Sequence, residues 1–432
     1  MKKIFIVTVA LSAITTLGFA QNVNKLIKEK NVGRIIKTLS ADDMQGRATF
    51  SPGIEKAAKF IEGEFNSIGL TPLAGNTGFR QDFKMIRSTP VKLTLSINGK
   101  SIAADSAFAT GSESFSWATN ADVQVVEVTG DKNFRQEYGA ITRSGKKSLV
   151  LVDSKFKDLF TRVRGFSGRG SVTFKGKATT PVIFVLGTFD KVTTFDASYE
   201  TKSEELPLFN VAGMIPGKTK PEEFVVFSGH YDHLGILKPM EGDSIANGAD
   251  DDASGTTAVI SLAKYYKKLK NNARTLIFVA FCAEEIGGYG SQYFSGQVNP
   301  DKTVAMFNIE MIGKASKFGQ NSAFITGYER SDFGKILQKN LDGTAFKFYP
   351  DPYPEQDLFY RSDNATLARL GVPAHTISTD QIDIDKLYHT VKDEFSSLDV
   401  SNITSTIRAI ALSSRSIVAG TDTPTRIAKL ER

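Results

Sequence analysis

Four apolar runs, Phe224 to Phe227, Leu276 to Cys282, Val304 to Ile309 and Val372 to Ile377, limit what this chain can fold into, and the first three are nearly unbroken. A strand with one wet face alternates apolar and polar residues; a strand apolar on both faces has to be covered on both, as in a mostly parallel sheet flanked by helices. Between the first two runs, Val259, Leu262, Ala263, Tyr266 and Leu269 share one face at helical spacing. Lys264, Lys267, Lys268 and Lys270 crowd the last turns of that helix and complement its dipole. Strand, helix, strand at this spacing is a βαβ unit, and the fold class expected is α/β.

The flanking segments extend this reading. Val32, Ile35, Ile36 and Leu39 follow helical spacing, and a second helix is expected from Ile54 to Ile68 with Gly69 as its stop. A long closing helix turns Ile403, Ile407, Ile410 and Ile417 toward the sheet. From about 85 to 203 the texture differs. Val91, Leu93, Leu95 and Ile97 alternate into Asn98-Gly99, a strand entering a tight hairpin, and short β-like runs follow. The glycine cluster from Gly165 to Gly170 lacks the ending and frame of a phosphate loop and is expected to be a loop. The organisation expected is residues 21–84 and 204–432 in one α/β domain, with residues 85–203 as a β-rich insert.

Composition closes several routes. A net charge of +6 with no dense Lys/Arg stripe gives no case for nucleic acid. A single cysteine, Cys282, excludes an internal disulfide framework, a thiolate zinc finger and an iron–sulfur cluster. Residues 1–20 form a short basic start, Met1-Lys2-Lys3, an apolar stretch and the small-residue ending Gly18-Phe19-Ala20. That pattern predicts a signal peptide cleaved before Gln21, and export to the periplasm or the exterior with no membrane insertion afterwards.

Ligands of open α/β sheets bind beyond the carboxyl ends of the strands. The first run leads to His230-Tyr231-Asp232-His233, the second to Glu284-Glu285, the third to Glu310, and Asp250-Asp251-Asp252 precedes the helix. Taken singly these have ordinary readings, such as an N-cap for the triple Asp. Collected at one sheet edge, so many carboxylates repel one another, and a divalent cation removes that repulsion. Imidazole with carboxylate and no thiolate suits zinc and admits cobalt or manganese. There is no His-Glu-x-x-His and no Gly-x-Ser-x-Gly, so the helix-borne zinc protease and the serine hydrolase elbow are not indicated.

Gly229–His233, Gly248–Gly255, Glu284-Glu285 and Tyr388-His389-Thr390 resemble, in order, the motifs of the co-catalytic di-zinc aminopeptidases, metallopeptidase family twenty-eight. Gly46-Arg47 and the following helix are similar to that family's lead-in, and the insert resembles the protease-associated domain of many members. The resemblance implies a zinc-aminopeptidase/phosphorylase-like fold, two Zn2+ per chain and a peptide substrate. By position it implies metal ligands His230, Asp251 (bridging), Glu285, Glu310 and His389. It makes Glu284 the general base and Asp232 the carboxylate that orients His230, and it leaves Tyr360, or Phe359 in its place, as the position of an oxyanion donor. Glu310 stands where the family usually has Asp, and Ser362-Asp363-Asn364 where members often have Ser-Asp-His.

The function expected is an exported zinc aminopeptidase. Three alternatives stay open: a carboxypeptidase of the same family, for which Arg361 could receive the free carboxylate; a glutaminyl cyclase-like enzyme with one zinc; and a peptidase-like binding ectodomain without catalysis. Oligomeric state is left unassigned.

Overall fold

The computed structural model describes residues 23–119, 122–189 and 191–430. The signal-peptide expectation for residues 1–20 lies outside them. The chain divides into two compact units: one comprises the chain before Phe83 and after Leu208, the other Phe83–Leu208.

In chain order the first unit uses α1 (Glu29–Leu39), α2 (Pro52–Ile68), the end of β1 (Phe195–Ile215), β2 (Lys220–His230), α3 (Gly255–Leu269), β3 (Arg274–Phe281), α4 (Tyr289–Gln297), β4 (Thr303–Ile309), β5 (Ser322–Ile325), β6 (Lys347–Pro350), β7 (Ala374–Ser378) and α5 (Val400–Ser413). Its sheet has the order β6-β5-β7-β4-β2-β3-β1. The four central strands, β7, β4, β2 and β3, run parallel. Among the described residues, antiparallel pairings of this unit's sheet lie outside these four, at β3–β1, at β7–β5 and where Thr71–Pro72 pairs with β1. This is the α/β architecture with a mostly parallel sheet that the apolar runs imply. Every residue of β3 and of β4 is buried. The sheet's centre is an aromatic stack: Phe227 lies between Phe278, ring centroid at 5.4 Å, and Phe307, at 4.9 Å.

Local signals act as their chemistry requires. Helix α2 ends at Gly69, whose φ of 78° is the left-handed cap that glycine adopts without a Cβ clash, and its N–H returns to Phe65 and Asn66. The closing helix is shorter than expected: α5 stops at Ser413, and Ile417 lies in a separate turn, Arg415–Val418. In-register pairing sets His230 opposite Phe281, Ser228 opposite Asn308, and Ile309 opposite Ile377. The carboxyl ends of four strands therefore finish along one edge.

The second unit is less purely β than expected. Its four-stranded sheet runs Ala107–Thr110, Val182–Leu186, Ser148–Val152, Gln124–Val128, and two of its three pairings are parallel. Helices Phe134–Arg143 and Lys157–Ser167 accompany it. Part of the glycine cluster read as a loop, Gly165 to Ser167, is the last turn of the second helix, which buries Phe160. The hairpin at Asn98-Gly99 forms: both residues have positive φ, 50° and 75°, and Ile97 pairs with Lys100. That is the type I′ geometry that Asn-Gly favours.

The aromatic stack generates a stability prediction. Phe227→Ala removes a ring with no solvent exposure from the centre of the sheet. Cavity formation should lower stability by about 3–5 kcal/mol. Denaturant unfolding of the two proteins side by side measures it, and a loss under about 1 kcal/mol would show that the sheet collapses around the gap.

Candidate metal centre

The three consecutive aspartates before α3 are turned to three different tasks. Asp250 faces inward and accepts from the Gly313 N–H at 2.6 Å, with the Lys314 ammonium 3.2 Å from its other oxygen. Asp252 accepts from the backbone N–H groups of His230 (3.1 Å), Gly255 (2.9 Å) and Met311 (3.2 Å), joining the ends of β2 and β4 to the start of α3. Asp251 alone points into the cleft. Its Oδ1 is 3.1 Å from His230 Nε2 and its Oδ2 is 3.3 Å from His389 Nε2. The backbone N–H groups of Asp250 and Asp251 are held by the buried carboxylate of Asp393, at 2.9 and 3.0 Å. Gly248 begins the loop at φ 54°, where a Cβ would lie 2.5 Å from the His233 ring.

After β3 the chain turns sharply at Ala283, φ 60°, and presents Glu284 and Glu285. Asp232 steers both: its Oδ1 accepts from the Glu284 N–H at 3.1 Å and its Oδ2 from the Glu285 N–H at 3.3 Å, with the Thr49 hydroxyl donating as well. This corrects the role expected for Asp232. Its carboxylate stands 3.8 Å from His230 Nδ1, too far for a hydrogen bond, and it is the backbone carbonyl of Asp232 that lies 3.1 Å from that nitrogen. Glu285 Oε2 lies 3.2 Å from His389 Nε2. Glu310 faces the cleft beside Asp251 and Glu284, and a polar chain fixes it: Asn308 donates to Ser362, which donates to Glu310. Asn364, at the other departure from the family pattern, serves the core by donating to the carbonyls of Phe359 and Ala374.

Tyr360 does not reach the site. The short turn Leu358–Tyr360 gives Leu358 to the cleft. Tyr360 packs toward the guanidinium groups of Arg330, 5.2 Å from its ring, and Arg369, at 5.3 Å. Phe359, the other position considered, is buried in the core, so neither supplies an oxyanion donor. Two residues given no role from the sequence are in the site. The phenol in the cleft is Tyr388, its ring stacked 3.8 Å from His389. His233 Nδ1 lies 2.7 Å from Glu285 Oε1 and holds that carboxylate in place; the signal for it was a second imidazole three residues after His230. His375, by contrast, is a core residue. Its two nitrogens are satisfied by Thr326 and Ser331, and burial lowers its pKa to about 4. Cys282 is buried, and burial first of all raises its thiol pKa well above the ordinary value.

The donor set fits zinc. Ligand atoms 2.0–2.2 Å from one tetrahedral ion stand about 3.4 Å apart. His389 Nε2 stands at such a distance from both Asp251 Oδ2 and Glu285 Oε2, as His230 Nε2 does from Asp251 Oδ1. His230 Nε2 is buried and makes no hydrogen bond, although it faces a carboxylate oxygen. That gap calls for a cation. Protonation points the same way: burial lowers the pKa of His389, but Asp251 and Glu285 outweigh it and raise the value to about 10.

Beneath the centre lies Arg47, with no solvent exposure. Its guanidinium donates to the carbonyls of Tyr231 (2.9 Å), Leu39 (2.7 Å), Asn247 (2.6 Å), Gly248 (2.9 Å) and Asp251 (3.4 Å).

Comparison with known proteins agrees with this geometry. Residues 210–413 match the model of peptidase family M28. That stretch carries every metal-facing residue described above. Leucine aminopeptidase 1 of Ajellomyces capsulatus is 27% identical over 277 residues, covering 60% of this chain and 67% of that protein. A probable zinc metalloprotease of Leptosphaeria maculans is 35% identical over 109 residues, so this chain spans only 25% of that relative's length. Among solved structures, an aminopeptidase from Aneurinibacillus sp. strain AM-1 aligns over 95% of this chain and 97% of its own, at 18% identity and a TM-score of 0.54. The zinc aminopeptidase of Bacillus subtilis aligns over 94% and 99%, at 16% identity and the same TM-score, and both establish the fold. The matching model is that of a peptidase family, and zinc is named for the Leptosphaeria and Bacillus proteins.

Arg47 yields a test. Arg47→Met strands five buried carbonyls and removes the cation facing Asp393, Asp251, Asp232 and Asp252. Breaking such a buried cluster should cost about 3–5 kcal/mol, seen as a lowered unfolding midpoint, together with weaker zinc binding in a chelator competition. An unchanged midpoint would show that Arg47 is not a structural clamp.

Proposed function

We propose that this protein is an exported aminopeptidase that uses two zinc ions to hydrolyse the first peptide bond of its substrates. The observation that carries the two-metal reading is Asp251, whose two oxygens face His230 and His389 separately. His230, Asp251 and Glu310 would hold one ion; Asp251, Glu285 and His389 would hold the other. Zinc, when bound, supplies Lewis acidity toward a water and toward the peptide carbonyl. The composition of residues 1–20 supports export.

The chain's own residues divide the remaining work. Burial, with Glu310, Asp363 and Glu285 nearby, pushes the Glu284 carboxyl well above its ordinary pKa despite the opposing His230. Glu284 therefore suits a general base that takes a proton from the attacking water and hands it to the leaving amine. Burial, then the charges of Asp251 and Glu310, raise the Tyr388 phenol. It keeps its proton and can donate to the developing oxyanion. Asp232 holds the Glu284 and Glu285 backbone, and His233 holds the Glu285 carboxylate.

Elemental analysis of the purified protein should give two zinc ions per chain. Glu284→Gln should keep both and lose kcat by about 10²–10⁴ or more, whereas Glu285→Ala should lose metal. One tight ion with full activity would overturn the two-metal reading, and a reversal of the two variants would exchange the roles of the pair.

Arg361 lines the cleft and favours a second reading, in which a cation receives a substrate's free carboxylate. Modified peptides separate the two. An aminopeptidase should fail on acetylated peptides and cleave carboxyl-amidated ones at nearly the rate of the free acid; the opposite pattern would make the enzyme a carboxypeptidase.

A further inference from the structure

Beyond the metal-facing residues, the cleft is walled by Thr326, Thr376 and Ser378 and by apolar Met311, Phe324 and Ile382, and it includes Asp380. Asp380 is 4% exposed, and its Oδ1 has no hydrogen-bond partner. A buried carboxylate oxygen left unpaired is costly unless something arrives to pair it. Behind Asp380 lie Asp250 and Asp385, and ligand-type oxygens of the three acids lie within 4.8 Å of one another. One ammonium serves this cluster. Lys314 Nζ is 2.6 Å from Asp385 Oδ2 and 3.2 Å from Asp250 Oδ2, and is thereby occupied. Asp380 also shares a hydrogen bond with Asp385, and burial, then the charges of Asp250 and Asp385, raise its pKa to about 8; a cation arriving from the cleft side would take the place of that proton.

We infer that this part of the cleft is a subsite for a cationic side chain, in which Asp380 receives the ammonium of a lysine or the guanidinium of an arginine at the residue being released. The inference rests on the aminopeptidase reading and names the class of residue it removes. The apolar walls suit the methylene stem of such a side chain, and the acid suits its charged head. The substrate's α-amine is a poorer match. It lies two bonds from the reacting carbonyl carbon and so stays beside the metal ligands, whereas the side chain extends away from them. A divalent cation is also a poorer match, because Lys314 already neutralises the Asp250 and Asp385 side of the cluster.

Zinc-loaded protein assayed on the p-nitroanilides of lysine, arginine, norleucine and leucine tests this. Norleucine keeps most of the lysine stem and lacks the ammonium. The lysyl and arginyl substrates should exceed the norleucyl one in kcat/KM by at least about tenfold, since a site built for a polar group discriminates strongly against its absence. Free lysine should likewise inhibit the wild-type protein better than free norleucine, a comparison that needs no variant. Asp380→Asn should erase the lysyl preference and leave norleucyl turnover within about threefold. Equal rates on lysyl and norleucyl substrates in the wild type would overturn the inference. So would an equal fall on both in Asp380→Asn, which would make Asp380 a positioning residue for the Asp250 loop. A third bound metal ion lost in Asp380→Asn would overturn it in favour of a cation site. Zinc-loaded protein that cleaves none of the four substrates would overturn the aminopeptidase reading itself, and this inference with it.

Discussion

A guanidinium with no access to water organises the candidate metal centre. Arg47 comes from the segment between α1 and α2, and it donates to carbonyls of the loop after β2 and of the loop before α3. An arginine is suited to this because its planar fork keeps its charge when buried and spreads five donors in fixed directions. Burial lowers its pKa, and Asp393, Asp251, Asp232 and Asp252 oppose that shift. The same cation therefore shapes the loops and offsets the negative charge they collect. Without it, the His230 and Asp251 loops would have unpaired carbonyls facing one another.

The carboxylates around it are separated by task. Asp252 and Asp232 are spent on backbone N–H groups, Asp250 on Gly313 and Lys314, and Asp393 on the Asp250–Asp251 backbone. Asp251, Glu285 and Glu310 remain for metal, and Glu284 for proton transfer. Three residues around the centre, Ala283, Met311 and His389, hold left-handed φ values of 60°, 50° and 58°. Such conformations persist where surrounding bonds over-determine them, and they aim Glu284, Glu310 and His389 at one point.

Much of this was legible beforehand. The apolar runs located the central strands, and the rule that ligands bind beyond their carboxyl ends located the site. The resemblance chose the middle aspartate of three, which is the one that enters the cleft. Asp232 was selected with a different function, because its carboxylate and its carbonyl lie close together and only geometry tells which one meets His230. At Tyr360 an offset of one residue changes everything, because neighbouring side chains on this tight turn point in unrelated directions. Tyr388 and His233 were in view within the motifs, yet nothing in their spacing assigned them a contact. In the insert, alternation was informative for the first hairpin, while Lys157–Ser167 was obscured by its glycines.

By itself the sequence determined the sheet, the order of the ligand-bearing loops and the chemical identity of the donors. These follow from short-range properties: a run apolar on both faces has to be buried, and imidazoles and carboxylates carry their ligand chemistry wherever they are placed. Only the tertiary structure decided which of several adjacent carboxylates serves metal, proton or backbone. That choice is made by bonds between residues far apart in the chain, such as Asp393 to the Asp250 N–H 143 residues earlier and Arg47 to the Asn247 carbonyl 200 residues later. In an irregular loop no local periodicity fixes where a side chain points, so its direction is set by whichever distant donor or acceptor would otherwise be buried unpaired.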